Sequence, residues 1–144
     1  MCGIAGIFNF KNNSISKSDE FIIDNMKHRG PDASGIWKSN DDKLKFYHTR
    51  LSIVYLSDIA NQPMDYNDKY KIVYNGEIYN YKTLKNKLED RGHKFKTTSD
   101  TEVILALYDE FAKDSFDILE GIFAFAIFDI LKQKLIICRD IFGV

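Results

Sequence analysis

Apolar positions along the chain alternate in two rhythms, one of period two and one near 3.6, and the changes of rhythm mark the elements. Residues 3–10 are apolar and rich in branched side chains, which predicts a buried strand close to the N-terminus. Ser18-Asp19-Glu20 supplies a helix start, and Phe21, Ile22 and Met26 form the expected buried side of a helix running to Lys27. His28-Arg29-Gly30-Pro31-Asp32 ends it, because Pro31 drives Gly30 out of helical geometry. Strands are expected over residues 35–38 and 44–53, then a turn at Asn61-Gln62-Pro63. A further strand runs from Lys69 to Tyr74 and ends at Asn75-Gly76.

Residues 80–91 carry Tyr81, Leu84 and Leu88 at helical spacing, with Gly92 where a C-terminal cap belongs. Ser99-Asp100-Thr101-Glu102 fits a capping box, and Val103, Ile104, Leu107 and Phe111 supply the apolar stripe of the helix behind it. A shorter helical segment is expected over 114–119, then strands over 122–130 and 134–139 joined by a turn at 131–133. The strand over 122–128 is apolar on both alternating faces, so both sides of its sheet should be covered. Strand clusters with two or three helices between them suit a layered α+β fold better than regular βαβ alternation. No internal repeat or linker divides the chain, so one domain is expected.

Composition narrows the picture. With 20 Lys+Arg against 21 Asp+Glu, the net charge of −1 argues against nucleic acid or an anionic membrane as the main partner. The longest apolar run has seven residues, 122–128, where a membrane helix needs roughly 20. The N-terminus has no basic region or cleavage site of a signal peptide, and two cysteines make no disulfide framework. The expected compartment is the cytoplasm. The chain reaches Val144 straight after Arg139-Asp140-Ile141-Phe142-Gly143, which reads as a cut inside a larger protein.

Single residues offer chemistry, each beside a structural alternative. Removal of Met1 would leave Cys2 with a thiol and a free α-amine, an activated nucleophile with its own base. Equally, Cys2 suits the start of a buried strand. Asn75-Gly76-Glu77 offers an amide and a close backbone N–H for an oxyanion, although Asn-Gly is also the commonest tight turn. Arg50 can grip a carboxylate in two-pronged fashion, or simply sit on a strand edge. Asp100 can accept from a substrate ammonium, or serve the helix dipole. His28, His48 and His93 share no metal-ligand spacing and read as structural, as does Cys138 in its strand. The lysines from 82 to 96 read as a solvated helix face.

The combination is more specific than its parts. Met1-Cys2-Gly3-Ile4-Ala5-Gly6-Ile7-Phe8, His28-Arg29-Gly30-Pro31-Asp32, Arg50-Leu51-Ser52-Ile53-Val54, Asn61-Gln62-Pro63-Met64, Asn75-Gly76-Glu77-Ile78-Tyr79-Asn80 and Ser99-Asp100-Thr101-Glu102-Val103-Ile104 occur in that order. Together with Gly121 to Ala126 and Arg139 to Gly143, they resemble the glutaminase domain of glutamine-hydrolysing asparagine synthetases, within the class II glutamine amidotransferases. The hexosamine-phosphate synthase and purine amidotransferase branches resemble the chain less.

That resemblance implies an α+β N-terminal nucleophile hydrolase fold, a four-layer αββα sandwich of mainly antiparallel sheets, cut short at its C-terminal end. It implies Cys2 as nucleophile, Asn75 and Gly76 as oxyanion hole, and Arg50 on the glutamine α-carboxylate beside a wall of Leu51, Ile53 and Val54. Glu77 and Asp100 would hold the α-amine. The implied partners are L-glutamine and a C-terminal synthetase domain that amidates aspartate, with a homodimer compatible. ATP and Mg belong to that absent domain, and the glutaminase half needs no metal or cofactor. Two alternatives stay open: an amidotransferase serving another acceptor, such as a sugar or antibiotic precursor, and an inert regulatory module of the same fold.

Overall fold

In the computed structural model, residues 2–9, 18–52 and 61–143 are described. Their elements are β1 (Gly3–Phe8), α1 (Asp19–Met26), β2 (Ala33–Lys38), β3 (Leu44–Arg50), β4 (Met64–Tyr66) and β5 (Tyr70–Ile78). There follow α2 (Tyr81–Asp90), α3 (Asp100–Phe111), a 3₁₀ segment (Ala112–Ile118), β6 (Gly121–Asp129) and β7 (Lys134–Arg139). One sheet has the order β1-β3-β2, the other β4-β5-β6-β7, and every neighbouring pair is antiparallel.

Alternation along β3 sorts the layers. Lys45 and Tyr47 turn outward and both donate to Asp19 Oδ1 of α1 at 2.7 Å, while Thr49 Oγ1 donates to the Met26 carbonyl at 3.1 Å. Leu44 and Phe46 turn inward and cluster with Val73 of β5 and Phe128 of β6. On its other face the second sheet packs Ile72, Tyr74, Phe123, Phe125 and Ile127 against Leu84 and Leu88 of α2 and residues 103–108 of α3. The layers therefore run helix, sheet, sheet, helix. Burial of each large side chain in these two clusters stabilises the fold by about 1.5–3 kcal/mol. β6 is covered on both faces, as its doubly apolar pattern requires.

Four expectations change. β1 is not a buried strand: it forms the edge of a three-stranded sheet, Gly3 alone is buried, and Phe8 is exposed. In α1 the residue that packs inward is Ile23, and Phe21 is exposed. The phase follows Asp19, which is fixed on Lys45 and Tyr47 and shares a helix face with Ile23 and Met26. α3 has no simple stripe, since every residue from Thr101 to Tyr108 is buried between α2, β4, β5 and the 3₁₀ segment, whereas Phe111 is exposed. Its cap also differs from a capping box. Ser99 Oγ accepts the Thr101 N–H at 3.1 Å, but Glu102 reaches past Ser99 to the backbone N–H groups of Lys96 and Thr97 and to Thr97 Oγ1.

The fourth change bears on function. β5 does not stop at Asn75-Gly76 but continues to Ile78, with Asn75 opposite Ala124 and Gly76 opposite Phe123. β4, three residues long behind Pro63, gives no periodic signal and was not foreseen. β7 lies at the outer edge of its sheet, and Ile137, directly opposite Ala126, is 75% exposed.

Candidate active site

A cavity of about 310 Å³ lies where the ends of β3 and β5 meet the start of β1 and of α3. Its lining includes Cys2, His48, Arg50, Leu51, Gln62, Tyr74, Asn75, Gly76, Glu77, Tyr79, Tyr81, Asp100 and Ile122. Cys2 sits one step before the pair Gly3–Thr49, which places it across from Arg50. The Leu51 N–H donates to Cys2 Sγ at 3.5 Å, and the thiol is directed at the Leu51 carbonyl at 3.9 Å.

Segment 28–32 braces that backbone. The Asp32 N–H donates to the Arg50 carbonyl at 3.0 Å, and Asp32 Oδ2 accepts the Ser52 N–H at 2.6 Å. A Cβ at Gly30 would stand 2.5 Å from both the Arg50 carbonyl carbon and the Thr49 oxygen, so only glycine permits this approach. The Arg50 guanidinium is buried and donates from Nη1 to Asn61 Oδ1 at 2.6 Å.

The early end of β4 creates the central feature. Its last pair along β5 is Met64–Ile72, so among the described residues no strand pairs with that side of β5 beyond Val73. The Tyr74 N–H on this side is taken by Gln62 Oε1 at 2.6 Å, and the Ile78 N–H by Asp100 Oδ2 at 3.1 Å. Backbone groups alternate along an antiparallel strand, so the Gly76 N–H between them points the same way, into the cavity. Gly76 has φ +154°, and a Cβ there would collide with the Ile122 carbonyl and lie 2.6 Å from Phe123 Cα. The Asn75 side chain shares the inward face of β5 with Val73.

Asp100 opens α3, where the helix dipole favours a carboxylate. Its Oδ2 also accepts the Tyr74 hydroxyl at 2.6 Å. Burial and the Asp100 charge push the Tyr74 phenol far above its ordinary range, so it stays a donor. Glu77 stands exposed at the rim. Burial, with Arg50 alongside, lowers the His48 imidazole to about 4, so it is neutral at physiological pH.

Cys2, Arg50, Leu51, Asn75, Gly76, Glu77 and Asp100 thus share one cavity, while Ile53 and Val54 lie outside the described residues. The tight-turn reading of Asn75-Gly76 is excluded by the strand pairing. Sequence reasoning missed His48, Gln62 and Tyr74. His48 was findable, since it lies two residues from Arg50 on one strand and therefore on the same face. Gln62 stands in the Asn61-Gln62-Pro63-Met64 motif without a role that spacing reveals, and Tyr74 gives no local signal, because both act through the tertiary edge of β5.

The family model of the glutamine amidotransferase domain matches residues 1–144. The chain belongs to the glutamine amidotransferase family. It is 41% identical over 149 residues to asparagine synthetase [glutamine-hydrolyzing] 3 of Bacillus subtilis strain 168, where the whole chain covers 24% of that protein. It is 40% identical over 146 residues to asparagine synthetase B [glutamine-hydrolyzing] of Escherichia coli K12, covering 26% of it. This amidotransferase chain therefore spans about a quarter of the length of the curated relatives it matches. Among solved structures, glutamine phosphoribosylpyrophosphate amidotransferase from B. subtilis, complexed with ADP and GMP, matches with a TM-score of 0.73 and 22% identity. The match covers 95% of this chain and 37% of that one, and it shows that the fold is shared. Among the described residues of the domain, no helix is long and apolar enough to cross a membrane.

Proposed function

We propose that this amidotransferase domain hydrolyses the side-chain amide of glutamine through a thioester on Cys2 and hands the ammonia to a synthetase domain that amidates aspartate. The observation that carries this reading is the Gly76 N–H, directed into the cavity that holds the Cys2 thiol while its neighbours at Tyr74 and Ile78 are occupied. Once Met1 is removed, the α-amine of Cys2 takes the thiol proton and Sγ attacks the amide carbon. The Gly76 N–H and the Asn75 amide stabilise the oxyanion. The amine returns the proton to nitrogen, the C–N bond breaks, and ammonia leaves. Water then attacks the thioester, giving glutamate and the free thiol.

In this reading Arg50 grips the substrate α-carboxylate in two-pronged fashion. Asn61 holds that guanidinium in place. Glu77 and Asp100 take the α-ammonium, and Leu51, Ile53 and Val54 complete the wall. Asp100 uses Oδ2 for Tyr74 and Ile78, leaving Oδ1 for the ligand. The half-reaction requires no metal or organic cofactor, and ATP and magnesium belong to the synthetase step. The names of the relatives support aspartate as acceptor. The cytoplasm is the compartment this reading assigns, in keeping with two cysteines present as free thiols.

The test is ammonia release from glutamine by the processed full-length protein, its Cys2→Ala variant and a form that keeps Met1. Release by the native protein alone is expected. Equal release from Cys2→Ala would sink the assignment of the nucleophile.

A further inference from the structure

Gly76 has no side chain to hold it, and among the described residues no strand pairs with it on the cavity side. Its position is therefore set from β6. The Tyr74 and Ile78 N–H groups turn away from β6, so alternation turns Asn75 and Glu77 towards it, opposite Ala124 and Ile122. Gly76 itself lies against Phe123, so closely that an added Cβ would stand 2.6 Å from Phe123 Cα. Phe123 is the support directly behind the N–H that points into the cavity.

The Phe123 backbone is held in turn by Asp140, just past the end of β7. Ala124 pairs with Arg139, so the next rung of that ladder joins Phe123 to Asp140. Half of the rung is regular, the Asp140 N–H donating to the Phe123 carbonyl at 2.9 Å. In the other half the Phe123 N–H donates to Asp140 Oδ2 at 3.1 Å, where a regular ladder would offer the Asp140 carbonyl. A carboxylate is the stronger acceptor. Its Oδ1 accepts the Phe142 N–H at 2.9 Å and the Gly143 N–H at 2.8 Å, which wraps residues 140–143 around it. Among the described residues apolar packing does not hold this turn, since Ile141 and Phe142 are 93% and 88% exposed. The buried Asp140 carboxylate organises it.

We propose that Asp140 is a positioning residue for glutamine hydrolysis: through Phe123 its carboxylate fixes β6 against Gly76 and so holds the Gly76 N–H on the developing oxyanion. The inference rests on the thioester reading above, in which that N–H is one of the two oxyanion donors. Such a donor is effective only when preorganised, roughly 2.7–3.1 Å from the place the oxyanion will occupy. At the level of Gly76 the pairing of β4 has ended on one side of the β5–β6 pair and that of β7 on the other, where Asp140 takes over. Asp140 stands outside the cavity lining, so it should matter little to bound glutamine and much to the transition state.

The experiment uses the processed full-length protein and its Asp140→Asn variant, which keeps the side chain's size but sets an NH2 group against a backbone N–H. In ammonia release from glutamine, kcat should fall about tenfold or more while KM stays within about twofold of native. The second readout is L-glutamate γ-semialdehyde, whose carbonyl carbon takes the Cys2 sulfur while its oxygen takes the thiol proton. This tetrahedral adduct should bind about tenfold less tightly to Asp140→Asn. Glutamine, measured by calorimetry with Cys2→Ala in place, should bind alike with either residue at 140. A merely structural role would lower the melting temperature only, so a native kcat, or equal losses for aldehyde and glutamine, would overturn the proposal. A measurement on unaltered Asp140 stands beside it: the aldehyde adduct should slow hydrogen exchange at the Phe123 amide at least about tenfold more than glutamine does on Cys2→Ala, because loading the donor must stabilise what supports it. Equal slowing would overturn it, even if Asp140→Asn failed to fold. If the native protein releases no ammonia from glutamine, the thioester reading itself falls, and the positioning proposal with it.

Discussion

The Tyr74 hydroxyl donates to Asp100 Oδ2 at 2.6 Å, and the same oxygen accepts the Ile78 N–H at 3.1 Å. One carboxylate thereby ties the start of α3 to the strand that carries Asn75 and Gly76. Tyr74→Phe removes the first bond and keeps the ring. It should cost about 1 kcal/mol in denaturant unfolding. Because Asp100 then loses one of its two anchors, the KM for glutamine should rise severalfold with kcat near native, measured by steady-state ammonia release.

Glu102 is buried and accepts from the Lys96 N–H at 2.8 Å, the Thr97 N–H at 2.7 Å and Thr97 Oγ1 at 2.6 Å. Glu102→Ala leaves these donors without their partner and should lower unfolding free energy by about 2–4 kcal/mol. Glu102→Gln keeps one carbonyl acceptor and should lose less. Urea denaturation of both variants checks the order.

At Gly76, any side chain meets the β6 backbone at Ile122 and Phe123. Gly76→Ala must push β6 away or displace the Gly76 N–H, and both damage the proposed oxyanion site. Expected are a loss of about 3 kcal/mol or more of stability, or failure to fold, and glutaminase activity down at least about a hundredfold. A crystal structure with native β5–β6 register and full activity would contradict this.

His48 also makes stability depend on pH. Its ordinary value is 6.5 and its folded value about 4, so between these the unfolded chain binds the proton and the folded one does not. Stability therefore rises with pH across this window and is lost as the pH falls from about 6.5 to about 4, with a maximal slope near 1.4 kcal/mol per pH unit and a total of about 3 kcal/mol. His48→Gln should flatten the curve over that range. Denaturant midpoints collected from pH 4 to 7 measure it.

Ile137 shares the inner side of the second sheet with Ala126, directly opposite it, yet is exposed on the edge strand β7. Ile137→Thr should change stability by less than about 0.5 kcal/mol and reduce self-association along this edge strand. Sedimentation velocity at several concentrations tests the second effect.

Local chemistry made most elements readable. The doubly apolar β6, the Leu84–Leu88 face of α2 and the Ser99 cap of α3 follow from spacing and short-range hydrogen bonds, which act between near neighbours in the chain. Errors fell where a partner distant in sequence decided the outcome. Ile23 displaced Phe21 because Asp19 is held by residues of β3, and α3 lost its stripe because it is enclosed by four elements.

The same division holds at the cavity. By itself the sequence determined a layered α+β domain, a cysteine directly after Met1, and the ordered set Cys2, Arg50, Asn75, Gly76 and Asp100. Residue identity and spacing carry that information. Only the tertiary structure decided that Asn75-Gly76 lies inside a strand rather than in a turn, that the Gly76 N–H is left to the cavity, and that His48 is buried beside it. Those outcomes hang on where β4 ends beside β5, and a strand edge is created by pairing between distant segments, so no local stretch of chain encodes it.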